Sequence, residues 1–107
     1  MTTFEPGEIV LVAFPFTSGA GSKQRPALVV FDAGDSDIII ASITTQSRSS
    51  PFDITILEWR AAGLLAPSTA RMHKLATLEK ALVRRRFGRL VAPDWATAAK
   101  TIRQVFQ

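Results

Sequence analysis

Apolar residues along this chain come in short, separated runs, most of them shorter than a typical helix. The first, E-I-V-L-V-A-F from Glu8 to Phe14, is rich in β-branched residues, is entered through Pro6-Gly7 and is stopped by Pro15. It predicts a strand. Both of its faces are apolar, so that strand should be buried on two sides or lie in an interface. Residues 15–25 read as a loop in which Gly19 and Gly21 supply backbone freedom. Strands follow at Ala27–Phe31 and Asp37–Ile43, separated by the turn-rich D-A-G-D. After the polar stretch Thr44 to Pro51, further strands are predicted at Phe52–Ile56, Thr69–Lys74 and Leu82–Leu90, the last interrupted by Gly88. Residues 57–67, with Ala61-Ala62-Gly63 and Pro67, read as irregular with room for one helical turn. Past Pro93-Asp94, the residues Trp95, Ala98, Ala99, Ile102 and Phe106 fall on one face of a terminal amphipathic helix. Short strands, frequent turns and one helix predict a small, mainly β barrel with a C-terminal helix, a single domain over residues 1–107.

Composition narrows the chemistry. The 107 residues include no cysteine and one histidine, His73. Disulfides, thiolate zinc sites, iron–sulfur clusters and a cysteine nucleophile are excluded, as is a histidine cluster within one chain. No apolar run approaches the ~18 residues of a membrane-spanning helix. The first residues, M-T-T-F-E, lack a basic segment followed by an apolar one, so a cytoplasmic location is expected.

The net charge is +4 and the pI about 10.4. With no Cys or Tyr and one His, almost nothing titrates between neutrality and the lysines near ~10.4, so a small excess of charge gives an extreme pI. Distribution says more. Residues 1–70 hold four basic and seven acidic side chains, whereas residues 71–89 hold seven basic ones and only Glu79. Basicity concentrated in one window points to an anionic partner.

Six features bear on candidate chemistry. The loop Ser18-Gly19-Ala20-Gly21-Ser22-Lys23 is not a P-loop, since Gly-Ser-Lys replaces Gly-Lys-Ser/Thr and Pro26 opens a strand instead of a helix. Arg25 precedes Pro26, whose ring biases it toward an extended backbone and so fixes a guanidinium at the end of that loop; a surface arginine beside a turn is the plainer reading. Thr44-Thr45-Gln46 closes an apolar strand with hydrogen-bonding side chains, which also suits a strand terminus with local bonds. His73, between Arg71 and Lys74, carries an imidazole, a group able to accept a proton near neutral pH or to serve in packing. Trp59 suits base stacking or rim packing, and alternation sends Arg85 to one strand face and Arg84 and Arg86 to the other.

Together, E-I-V-L-V-A-F-P-F-T, the glycine loop, K-Q-R-P-A-L-V-V and the strand ending S-I-T-T-Q resemble the MazF/PemK toxins of bacterial toxin–antitoxin systems. The stretch P-S-T-A-R-M-H-K-L-A-T-L-E-K-A-L-V-R-R-R-F-G-R-L is similar to the second half of the PemK-like branch. The resemblance spans roughly residues 5–106. It implies an SH3-like small barrel of the MazF/CcdB type, assembled as a homodimer and neutralised by a cognate antitoxin. It also implies an endoribonuclease that cuts single-stranded RNA, mRNA in particular, with no metal or cofactor, leaving 2′,3′-cyclic phosphate and 5′-OH ends. On that resemblance Arg25 and Thr44 are the catalytic pair, and His73 stands where many relatives carry an acidic residue. Lys23, Gln24, Gln46, Arg71 and Lys74 are the candidate RNA contacts. Two other functions fit such a barrel: inhibition of a partner such as DNA gyrase, and RNA binding without cleavage.

Overall fold

The predicted apolar runs all form strands. The computed structural model describes residues 2–15 and 22–107. The strands are β1 (Glu8–Pro15), β2 (Ser22–Phe31), β3 (Asp37–Thr44), β4 (Asp53–Ile56), β5 (Ser68–Glu79) and β6 (Val83–Arg89), followed by helix α1 (Ala92–Val105). Every pairing is antiparallel, in the order β4-β5-β3-β2-β1-β6. The protein is therefore mainly β with one C-terminal helix.

The two-sided apolar pattern of the central strands has its counterpart in two cores. Ile9, Leu28, Ala41 and Ile43 face one side, where Ile54, Ile56, Met72, Leu90 and Ala98 of α1 complete the cluster. Val10, Val12, Ala27, Val29, Ile38 and Ile40 face the other, beneath Phe4. Burying each Val, Ile, Leu or Met side chain among these contributes about 1.5–3 kcal/mol, the main gain that holds the sheet together. The segment bearing Phe4 is fastened by Asp32, whose carboxylate accepts the N–H groups of Phe4 and Gly34 at 2.8 Å and lies 3.0 Å from Lys80 Nζ. Those two backbone donors first, and then Lys80, lower the Asp32 pKa from 3.8 to about 2. Arg86 lies over the Phe4 ring at 4.2 Å, 3.5 Å from Glu8, so it serves the N-terminal segment.

β4 and β6 are the sheet edges. The irregular segment after β4 joins them: one turn closes through Ala62 N–H to Glu58 O at 3.1 Å, and its backbone then presses on β6. A Cβ on Gly63 would stand 2.3 Å from Phe87 O, and one on Gly88 would stand 2.6 Å from Ala62 O. Glycine at both positions lets two backbones touch where no ladder links the edges.

Three expectations need correction. β2 begins at Ser22, so Lys23, Gln24 and Arg25 are strand residues rather than loop; the rest of the glycine loop, residues 16–21, lies outside the described residues. β5 runs to Glu79, five residues past the expected end. Phe106 is not on the buried helical face: α1 ends at Val105, and Phe106 turns away with 73% exposure. Trp95, Ala98 and Ile102 of the expected face do pack on the core, and Asp94 and Thr101 are buried beside them, with Asp94 accepting the Glu58 N–H at 2.9 Å.

Candidate active site

The strand register builds the site. β2 and β3 pair through Ala27↔Ser42. The ladder ends there, but two positions on, Arg25 of β2 and Thr44 of β3 line one cavity. Across β3, Ser42 pairs with Arg71 and Thr44 with Thr69, while Asp53 of β4 pairs with Arg71. Cross-strand partners share a face, so Arg25, Ser42, Thr44, Arg71 and Asp53 occupy one polar end of the face whose other end is the Phe4 core. Arg25, Ser42, Thr44, Gln46, Arg48 and Arg71 line a cavity of about 330 Å³. An adjoining, more apolar cavity of about 430 Å³ shares Arg25, Pro26 and Ser42 and adds Phe14, Leu75 and Lys74. Arg25 thus stands between a cationic compartment and an apolar one.

Local bonds set the donors. Thr44 Oγ1 accepts the Gln46 N–H at 3.1 Å, which leaves its hydroxyl proton free to donate. Gln46 Oε1 accepts from Arg48 Nη2 at 2.6 Å and holds that guanidinium beside the cavity. Arg71 donates through Nε to Asp53 Oδ1 at 2.9 Å. Asp53 Oδ2 in turn accepts the Ser50 N–H at 3.0 Å. Burial raises the Asp53 pKa, but the Arg71 and Ser50 donors outweigh it and hold the carboxyl at about 2.

A bulge decides where the remaining candidates go. β3 pairs Ser42 with Arg71 but Ala41 with Leu75, so Met72, His73 and Lys74 are three extra residues on β5. Met72 enters the core, Lys74 reaches the apolar cavity, and His73 lines neither cavity. The His73 ring packs tilted against Phe52 at 5.7 Å, and its Nδ1 is buried without a hydrogen-bond partner. Lys23 and Gln24 are exposed on β2 and line neither cavity. The structure therefore brings Arg25, Thr44, Gln46, Arg71 and Lys74 together, and leaves Lys23, Gln24 and His73 outside. Ser42, Arg48 and Asp53 belong to this neighbourhood and were not anticipated. Only the pairing register reveals Asp53, whereas Arg48 lies two residues past Gln46 in the polar stretch. Among the described residues, no carboxylate or imidazole lines either cavity, and no group of three or more His, Asp or Glu is placed to hold a metal ion.

Residues 5–106 match the family described as PemK-like, MazF-like toxin of type II toxin–antitoxin system. The chain belongs to this family. No curated protein sequence matches this MazF-like toxin, but solved structures do. A MazE–MazF crystal structure (Form II) from Deinococcus radiodurans superimposes with a TM-score of 0.81 at 15% identity, over 99% of this chain and 97% of that one. The Mycobacterium tuberculosis toxin MazF-mt6 gives 0.72 at 21% identity, over 91% and 95%. An endoribonuclease in complex with its cognate antitoxin, from a mycobacterial species, gives 0.76 at 15%, over 97% and 95%. At these identities the likeness is one of fold, and it is the MazF toxin fold. Among the described residues of this MazF-like toxin, no helix is long and apolar enough to cross a membrane.

Proposed function

We propose that this MazF-like toxin is an endoribonuclease that cleaves single-stranded RNA, including mRNA, in a sequence-selective manner and needs no metal or cofactor. The observation that carries the reading is the meeting of Arg25, Thr44 and Arg71 on one sheet face and in one cavity. The RNA supplies the nucleophile: its 2′-oxygen bonds to the neighbouring phosphorus, the bond from phosphorus to the 5′-oxygen breaks, and a proton passes from the 2′-OH side to the leaving oxygen. A 2′,3′-cyclic phosphate and a 5′-OH remain. The protein's task is then to hold the phosphate and stabilise charge that grows on its oxygens.

Arg25 does this through paired N–H donors, and its guanidinium is too weak a base to take the 2′ proton. The Thr44 hydroxyl donates to the same phosphate, while Arg71 and Lys74 add positive potential and Gln46 contacts the flanking chain. Lys23 and Gln24, exposed at the start of β2, meet RNA beyond the cavity. His73 lines neither cavity, so the proton-accepting role that the resemblance gives it is exercised from beside the groove, through Nε2, its Nδ1 being buried. The toxin acts in the cytoplasm as a homodimer, held in check by a cognate antitoxin that covers the basic groove; similar solved structures contain an antitoxin.

Cleavage of a single-stranded RNA in excess chelator, with the ends mapped, tests the reading. Wild-type protein should leave cyclic-phosphate and 5′-OH ends, and Arg25→Ala should slow cleavage by ~10²–10³-fold. RNA binding that falls steeply with salt and yields no product would replace the enzyme with a binding barrel.

A further inference from the structure

Arg71 differs from the other cations of the groove in how it is held. Its inner nitrogen, Nε, is tied to Asp53, a carboxylate whose side chain is 1% exposed, while the Arg71 side chain keeps 21% exposure and lines the cationic cavity. A guanidinium is planar, so fixing Nε against one partner directs its terminal nitrogens as a pre-set fork. Among the described residues those terminal nitrogens have no hydrogen-bond partner. Asp53 is itself fixed from both ends of one turn: Oδ2 accepts the Ser50 N–H at 3.0 Å, and the Asp53 N–H donates to Ser50 O at 3.1 Å. The chain Ser50–Asp53–Arg71 thus runs from a backbone turn to the cavity without a freely rotating link.

The bulge gives the pair its place. Arg71 is the last residue of β5 paired with β3 before Met72–Lys74 leave the ladder, and it is also the last paired with β4. Beyond it the strand reverses which face it presents, for Leu75 packs in the same core as Met72. Nothing in the bulge itself aims Arg71. The orientation of its side chain rests on Asp53.

We propose that Asp53 is a positioning residue that sets the Arg71 guanidinium as a fixed two-pronged donor for the RNA phosphate beside Arg25. The proposal rests on the ribonuclease reading of the same cavity. Asp53 does not touch RNA; it acts through Arg71. The ordering entropy of a long side chain is met when the protein folds rather than when RNA binds.

The test is a double-mutant cycle on the full chain, with Asp53→Asn, Arg71→Ala and both together, at a temperature where each variant is folded by circular dichroism. Cleavage of a saturating single-stranded RNA gives kcat, and a 2′-deoxy oligonucleotide of the same sequence, which cannot be cut, gives binding. Asp53→Asn should lower kcat by ~10–100-fold with Arg71 present, the scale of a misplaced contact, and by less than twofold with Arg71 already gone. Equal losses in both backgrounds would mean a merely structural carboxylate and would overturn the proposal. Arg71→Lys is the second variant. A lysine keeps the charge but has no fork to fix, so its kcat should fall as far as that of Arg71→Ala; wild-type kcat in Arg71→Lys also overturns the proposal. If wild-type protein binds RNA and cuts none, the ribonuclease reading fails by itself. The same cycle read in 2′-deoxy oligonucleotide affinity then decides the role of Asp53, coupling supporting it and additivity refuting it.

Discussion

Alanine at Gly63 meets two separate penalties, and two other glycines allow them to be measured apart. Gly63 has φ +90°, and a Cβ there would lie 2.3 Å from the Phe87 carbonyl oxygen and 2.7 Å from its carbon. The positive φ costs an L-residue about 1–2 kcal/mol. The clash is with backbone, so β6 or the 57–66 segment must move, an overpacking cost of about 1–3 kcal/mol. Gly34 has φ +92° and nothing within 4 Å of its would-be Cβ, so Gly34→Ala carries the first penalty alone. Gly88 has no positive φ but a would-be Cβ 2.6 Å from Ala62 O, so Gly88→Ala carries the second alone. All three variants share a gain of ~0.4–1 kcal/mol from a less flexible unfolded chain. Gly63→Ala should therefore lose about 2–4 kcal/mol in all, a large part of a typical domain's 5–15. Urea unfolding followed by tryptophan fluorescence measures it, with midpoints falling in the order Gly34→Ala or Gly88→Ala first and Gly63→Ala furthest, at an unchanged m-value. A Gly63→Ala midpoint no lower than that of Gly34→Ala would refute the reasoning, because it would mean that the segment and β6 do not press together and that β4 is not held at the seam.

Acid should unfold the protein through Asp32 and Asp53. Both have folded pKa values near 2 against an ordinary 3.8, so the unfolded chain binds protons first as pH falls. Their stabilisation is complete above about pH 4 and lost as pH drops toward 2; a urea midpoint constant across that window would contradict the pairing, and Asp32→Asn should flatten part of the decline. For His73, Gln replacement should slow RNA cleavage and remove the acidic limb of the pH–rate profile. Unchanged rate and unchanged limb would strip His73 of the proton-accepting role.

Much of the fold is legible because strands announce themselves through burial. Ile9 and Val10, Leu28 and Val29, and Ile40 and Ala41 are adjacent residues that both had to be buried, and only a strand covered on two faces accommodates such pairs. Phe106 misled for a different reason: helical spacing assigns a face but not an end, and the helix stops one residue before it. Arg25 and Thr44 were found through their resemblance to a family motif, whereas their spatial relation follows from a register, Ala27↔Ser42, that the sequence does not display. Asp53 shows the limit most clearly. It reads as an ordinary acidic residue at the start of a short strand, and its importance comes from a partner eighteen positions away.

The bulge explains why the second half of β5 was missed and why that half matters. A regular strand keeps one phase, so a period-two reading follows Ser68, Ala70 and Met72 inward and expects the next inward residue at Lys74. Three residues with no partner on β3 invert the phase, and Leu75 faces inward instead. To a pattern-based reading this looks like the end of the strand. Physically it allows one strand to serve two cores: Leu75 packs with Met72, while Ala76 and Leu78 cover the core beneath Phe4. Arg71, set ahead of the bulge by its pairing with Ser42, lines the cationic cavity, and beyond the bulge Lys74 lines the apolar one, so the two flank Arg25 from two sides. The irregularity that hides the strand from sequence reading is thus the feature that shapes the groove, which is why strand bulges near a cleft merit the same scrutiny as the side chains within it.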